Sequence, residues 1–198
     1  MKPIEKQAIL DFIGASIRFS IDTKEKLLAK CLDSIATTSE RLMEVVDRGG
    51  KIMFCGNGGS AADSQHLAAE LVGHLRHDRR PLPALALTTD TSALTAIGND
   101  YEFKDIFSRQ VRALGRPGDA LIGISTSGNS KNVLEAVLAA KDMNIVTIGL
   151  LGKGGGKIAP LCDYTVIAPG DDTQRAQECH LLVGHIWMEM IESSVMKG

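Results

Sequence analysis

Aromatic side chains are scarce: Phe, Tyr and Trp together make up 4% of the 198 residues, with a single Trp. A surface that stacks nucleic-acid bases depends on such rings, and a net charge of −2 withholds the electrostatic attraction that binding nucleic acid or an anionic membrane requires. No apolar run approaches the ~20 residues needed to cross a bilayer. Lys2, Glu5, Lys6 and Asp11 place charge where a secretion signal would carry an apolar core. Cysteine is sparse as well. Cys31, Cys55, Cys162 and Cys179 form no CxxC and read as reduced thiols of a cytoplasmic protein rather than as a disulfide framework. Repeats, low-complexity tracts and Ser/Gly linkers are missing, so the chain is expected to form one domain over residues 1–198. What is present, 44% hydrophobic and 23% charged residues, is ordinary for a chain that buries one core.

Apolar residues spaced by three and four from Ile9 to Ile17, and again from Leu27 to Val46, predict helices over the first 48 residues. Gly49-Gly50 ends the second. From there short apolar runs (Lys51–Cys55, Ala84–Thr88, Ala120–Ile124, Ile145–Gly149, Tyr164–Ala168) alternate with helical stretches at 60–72, 92–97, 107–114 and 129–141, and a last helix spans about 174–196. Continuously apolar strands separated by helices imply a parallel sheet covered on both faces, with right-handed crossovers. The expected fold is α/β: a three-layer α/β/α sandwich on a five-stranded parallel sheet, flavodoxin-like or Rossmann-like, with an N-terminal helical extension over 1–48. That extension either covers one face of the sheet or pairs with copies of itself in other subunits.

In such sheets ligands sit beyond the carboxyl ends of the strands. After the third strand comes Ser125-Thr126-Ser127-Gly128-Asn129-Ser130, four hydroxyls in six residues at the start of a helix. Hydroxyls and free backbone N–H groups at a helix N-terminus form an anion site. No GxxxxGK[ST] is present, so a small monophosphate ester suits the loop better than a nucleoside triphosphate. A turn with a simple N-cap would need fewer hydroxyls. After the first strand comes Cys55-Gly56-Asn57-Gly58-Gly59-Ser60, which fails the dinucleotide fingerprint. Its glycines either let the backbone approach a sugar or serve tight strand-to-helix packing.

His66 and Glu70 are four residues apart and share a helix face. On the last helix Gln177, His180 and His185 are candidates, with Gln177 and His185 about 80° apart around the axis. One carboxylate and one imidazole in a partly dry pocket suit aldose–ketose isomerisation, which needs a base at the carbon beside a carbonyl and an acid for its neighbour. The same side chains equally suit a divalent ion, zinc best, which would act as a Lewis acid.

The segments CGNGGSAADSQHLAAEL (55–71), TAIGNDYEFKDIFSRQV (95–111), GDALIGISTSGNSKNVLEA (118–136) and RAQECHLLVGHIWMEMIE (175–192) resemble the phosphoheptose isomerases of the sugar-isomerase (SIS) domain superfamily, over essentially the whole chain. The ISTSGNS segment is shared across SIS domains, whereas CGNGGS with H-x3-E and Q-x7-H is more specific. The resemblance implies that Ser60, Ser125, Thr126, Ser127 and Ser130 hold the phosphate and nearby hydroxyls. Asn57, Gly58, Gly59, Asn99, Asp100, Glu70 and Gln177 are expected to contact the rest of the substrate. It further implies Glu70 as general base and His185 as its acid–base partner through an enediol, and His66, Glu70, Gln177 and His185 as ligands of one zinc ion. The implied reaction converts D-sedoheptulose 7-phosphate to D-glycero-D-manno-heptose 7-phosphate, a first step toward the heptose of lipopolysaccharide or other glycans. The implied assembly is a homotetramer with active sites at subunit interfaces, without nucleic-acid or membrane partners.

One departure stands out: His74 occupies a position where many relatives carry arginine, and Arg76, Arg79 and Arg80 follow closely. They either supply the missing cation or form a solvated basic loop. Two rival readings share the fold: a non-catalytic protein that binds a replication initiator, and an SIS module that senses or isomerises another phosphosugar. The first has lost the glutamate and final histidine that this chain keeps as Glu70 and His185. The second usually lacks the H-x3-E/Q-x7-H set.

Overall fold

The computed structural model describes residues 5–196, so the outermost residues of the expected 1–198 domain and 1–48 extension lie outside it. Five parallel strands, β1 (Ile52–Gly56), β2 (Ala84–Ala86), β3 (Ala120–Ser125), β4 (Val146–Leu151) and β5 (Tyr164–Ile167), form one sheet in the order β2-β1-β3-β4-β5. The direction of winding reverses between β1 and β3, so the loops leaving those two adjacent strands diverge and open a crevice. All residues of β1, β3 and β4 are buried, which explains their unbroken apolar sequence. The two edge strands are the shortest, limiting the unpaired backbone that an edge presents.

Alternation along the strands divides the core. Ile52, Phe54, Ile122, Ile124, Ile148 and Leu150 face α1 (Lys6–Asp47), α2 (Gly59–Val72) and α6 (Thr173–Val195). Met53, Cys55, Leu121 and Leu151 face the opposite layer, built from α4 (Ser108–Leu114) and α5 (Lys131–Asp142), with α3 (Thr91–Asp100) packed at its edge through Leu94 and Ile97. The three-layer sandwich expected from the sequence is present.

The N-terminal region differs from expectation. In place of two helices there is one continuous helix of 42 residues, about 63 Å long at 1.5 Å per residue. The polar stretch 18–26 contains neither Gly nor Pro, so nothing in it removes a backbone hydrogen bond. Its hydroxyls are accommodated within the helix or against α6: Thr23 Oγ1 donates to the Phe19 carbonyl at 2.8 Å, and Ser20 Oγ to Glu178. Leu27, Cys31, Ile35, Leu42, Val45 and Val46 bury the second half of α1 against the body. Gly49, at φ +78°, turns the chain out of the helix, and Gly50 follows at a contact with the Gly118 carbonyl that leaves no room for a side chain. Among the described residues no helix is long and apolar enough to cross a membrane.

Candidate active site

Two separate sets of polar side chains stand out, one at the crevice and one between α2 and α6. The first is the turn joining β3 to α5. Ser130 occupies the N-cap position of α5 without making a side-chain capping bond. Its hydroxyl pairs instead with Ser125 Oγ at 2.9 Å, and Ser125 Oγ lies 3.4 Å from Ser127 Oγ. Three hydroxyls therefore cluster at a helix N-terminus with none spent on capping, an arrangement that favours an anion over a simple turn. Thr126 is half-buried beside them. Gly128 sits at φ +64°, and the backbone of Gly155 and Gly156 presses on it so closely that no Cβ fits. The Ile158 N–H donates to the Gly128 carbonyl, completing a buttress from the β4–β5 connection.

Asn57, in the loop after β1, exchanges two amide hydrogen bonds of 2.8 Å with Asn132 on α5. This reciprocal pair ties the two loops together across the switch point. Asn57 and Ser130 line one cleft of about 530 Å³ together with Asn132, Phe103, Lys131 and the ion pair of Lys104 with Glu102. The turn itself contains no lysine, but folding brings two to its rim, one of them the residue directly after Ser130. Asn132 was also missed, although its place one residue into α5 was a signal.

The second set joins α2 to α6. His66 and His185, 119 positions apart, place their Nε2 atoms 2.7 Å from one another with rings edge to face. The Glu70 carboxylate lies 3.5 Å from His66 Nε2. One donor atom from each of His66, Glu70 and His185 falls within 4.8 Å of the others. These helices approach closely because Gly184 has no side chain: a Cβ there would strike Leu67 of α2. Gly59, at the start of α2, does the same from the other side of the contact, where the Gln177 amide of α6 occupies the space of the absent Cβ. The loop glycines therefore mainly serve packing inside the protein, and only Gly58, at φ +55°, faces open space.

Asp63 was not anticipated. It is buried one turn before His66, and its Oδ2 has no hydrogen-bond partner. Burial pushes its carboxyl above the usual range, opposed by the Gln177 amide and by His66 and His185. Asp63 and Gln177 line a shallower recess of about 300 Å³ with Gln174, Glu178 and Leu181. The i, i+3 spacing of Asp63 and His66 was the available clue.

Other expected residues fall elsewhere. Ser60 is buried under the loop against Gly56. Asn99 and Asp100 are exposed at the end of α3, hydrogen-bonded to each other at 2.8 Å. His180, a candidate from its place on the last helix, is 1% exposed and packs inward, with both ring nitrogens unpartnered. Burial, opposed by the Leu151 backbone, pushes its pKa down to about 4. Arg79 is neither a free cation nor solvated: its side chain is 3% exposed against Glu192. Arg76, by contrast, pairs at the surface with Glu189.

Comparison with known proteins gives a consistent picture. The model of the SIS domain matches residues 17–152. The chain is similar to a phosphoheptose isomerase of Clostridium acetobutylicum, 51% identical over 93% of this chain and 95% of that protein. It is also similar to phosphoheptose isomerase 1 of Campylobacter jejuni, 57% identical over 81% of this chain and 86% of that one. Among solved structures, phosphoheptose isomerase GmhA from Neisseria gonorrhoeae superposes with a TM-score of 0.89 at 47% identity, covering 93% of this chain and 99% of that one.

Proposed function

The chain belongs to the SIS-domain family of phosphoheptose isomerases, and from that membership we propose that it converts D-sedoheptulose 7-phosphate to D-glycero-D-manno-heptose 7-phosphate in heptose biosynthesis. The observation that carries the reading is the meeting of His66, Glu70 and His185 between α2 and α6, in a chain that also carries the hydroxyl turn at the N-terminus of α5.

The phosphate enters the turn of Ser125, Thr126, Ser127 and Ser130 at the N-terminus of α5, with Lys131 at the rim balancing its charge while Lys104 is paired with Glu102. Asn57 and Gly58 flank the sugar chain, and the carbonyl end reaches α2 and α6. There Glu70 removes a proton from C1, leaving an enediol across C1 and C2. The same proton, carried by the carboxyl, returns to C2. His185 takes the proton from the C1 oxygen and delivers it to the C2 oxygen, so the ketose becomes an aldose with no net gain or loss of atoms.

Two imidazoles and a carboxylate with donor atoms this close, and an amide at Gln177, are a donor set that suits Zn2+. When bound there, the ion supplies Lewis acidity toward the substrate's carbonyl and hydroxyl oxygens. His66, Glu70, Gln177 and His185 are the ligands under this reading.

The first half of α1 exposes Phe12, Ile13, Ile17, Phe19 and Ile21, an apolar face of the kind that another copy covers. Homotetramer formation through this helix fits that face. It also fits Asn99 and Asp100, which are exposed at the end of α3 and accessible to a neighbouring copy. A cytoplasmic location accords with four free cysteines. The deciding experiment follows sedoheptulose 7-phosphate by NMR with the purified protein, after chelation and again with added zinc. Appearance of the heptose 7-phosphate supports the assignment. A folded oligomer inert under both conditions removes it in favour of a phosphosugar-binding protein.

A further inference from the structure

The connection from α2 to β2 has no regular structure over residues 74–83, yet it contains the most deeply buried ion pair described. Arg79 Nε lies 3.3 Å from Glu192 Oε1, a charge contact without hydrogen-bond alignment, with the two side chains 3% and 2% exposed. Glu192, near the end of α6, also accepts backbone N–H donors from Leu75, Arg76 and His77 at 3.0, 2.9 and 3.3 Å. Burial raises its carboxyl, but these three donors and the Arg79 guanidinium outweigh that and hold it below the ordinary glutamate range. Arg79 in turn donates to the carbonyls of Glu70 at 2.7 Å, Leu71 at 2.9 Å and Gly73 at 3.2 Å. These belong to the last turn of α2 and the residue that ends it, where carbonyls lack intrahelical partners and a cation is favoured.

A buried ion pair is a poor source of stability, because desolvating two charges offsets their attraction. Its strength is geometric: a planar guanidinium with several fixed donors sets distances. Here the distance concerns two particular helices. Glu70 is held by its own carbonyl, and His185 stands seven residues, two helical turns, before Glu192 on the same face of α6. We propose that Arg79 and Glu192 are a positioning pair that sets Glu70 of α2 against His185 of α6, acting through the Glu70 carbonyl and without touching substrate. The proposal rests on the assignment of Glu70 and His185 as the working cluster.

The test uses Arg79→Met, Arg79→Lys and Glu192→Gln in the full-length protein. Steady-state kinetics are read well below each variant's Tm, and Zn(II) affinity of the metal-free proteins is read by competition with a chromophoric chelator. Arg79→Met is expected to lose about 10–100-fold in kcat with KM within about twofold, and to bind Zn(II) about tenfold more weakly, as loss of an outer orienting partner does. Arg79→Lys recovers only a fraction of this, since a single ammonium cannot serve all the carbonyls. If Arg79→Met fails to fold, Arg79→Lys and Glu192→Gln carry the same comparison. Variants with a lowered Tm but unchanged kcat and Zn(II) affinity would reduce the pair to ordinary structure and overturn the proposal. A wild-type protein that binds Zn(II) but does not isomerise sedoheptulose 7-phosphate sinks the functional assignment, while the variants' Zn(II) affinities still decide the positioning role. Wild-type protein that does neither removes both.

Discussion

The hydroxyl turn and the α2–α6 cluster are built in opposite ways. The turn is one uninterrupted hexapeptide, Ser125–Ser130, shaped by a strand end, a positive-φ glycine and a helix start. The cluster draws His66 and Glu70 from one helix and His185 from another more than a hundred residues away, and its geometry depends on how closely those helices pack. Local construction makes the turn robust, whereas the cluster inherits every error in helix placement. Binding and chemistry should therefore fail separately: changes in the turn act mainly on KM, and changes at the helix contact act mainly on kcat.

The largest effect is expected at the cluster itself. Glu70→Gln keeps the shape and removes the proposed base, and should lower kcat by about 10²–10⁴-fold while size-exclusion chromatography shows unchanged assembly. Near-normal turnover would remove Glu70 from the chemistry and dissolve the contrast. Next comes a histidine of α6 that only packs. The unfolded chain takes up a proton at His180 near pH 6.5, whereas the folded chain does so only at about pH 4. Stability is therefore intact above pH 6.5 and declines as pH falls between those values, by about 3 kcal/mol at most. Denaturant midpoints against pH should slope accordingly in the wild type, and His180→Leu should flatten that slope.

The helix contact is probed by Gly184→Ala, whose methyl group meets Leu67. Overpacking of this kind should cost about 1–3 kcal/mol in thermal or chemical unfolding, and kcat should fall more than KM rises. The smallest effect belongs to the turn. Ser130→Ala deletes one hydroxyl from a site that offers several and should raise KM about tenfold, the value of one charge-assisted hydrogen bond, with kcat within about threefold. A kcat loss as large as that of Gly184→Ala would show that the two halves are not separable.

Legibility from sequence follows the same division. All five strands lie where short apolar runs predict them, because a buried parallel strand declares itself by composition over five or six residues. The hydroxyl turn was legible for a similar reason: its side chains are neighbours in the chain. Of the cluster, only the i, i+4 pair His66 and Glu70 was accessible to helix periodicity. The arrival of His185 depends on Gly184 and Leu67, a tertiary contact that no local pattern encodes, and it was the resemblance to known isomerases that linked His185 to them. Arg79 shows the limit most plainly. Read in sequence it belongs to a run of exposed basic residues, and only the fold reveals the buried glutamate that claims it. The continuity of α1 was missed because a polar stretch weakens an apolar pattern without breaking a helix.

The path of α1 also bears on how the protein is made. Its second half packs on α6 and β5, elements that emerge from the ribosome more than a hundred residues later. At typical synthesis rates that gap lasts on the order of ten seconds, during which the helix waits with its apolar stripe uncovered. The same late segment delivers Gln177 and His185. A chain interrupted before α6 would thus lack part of the layer that α6 shares with α1 and α2, together with the α6 half of the candidate site.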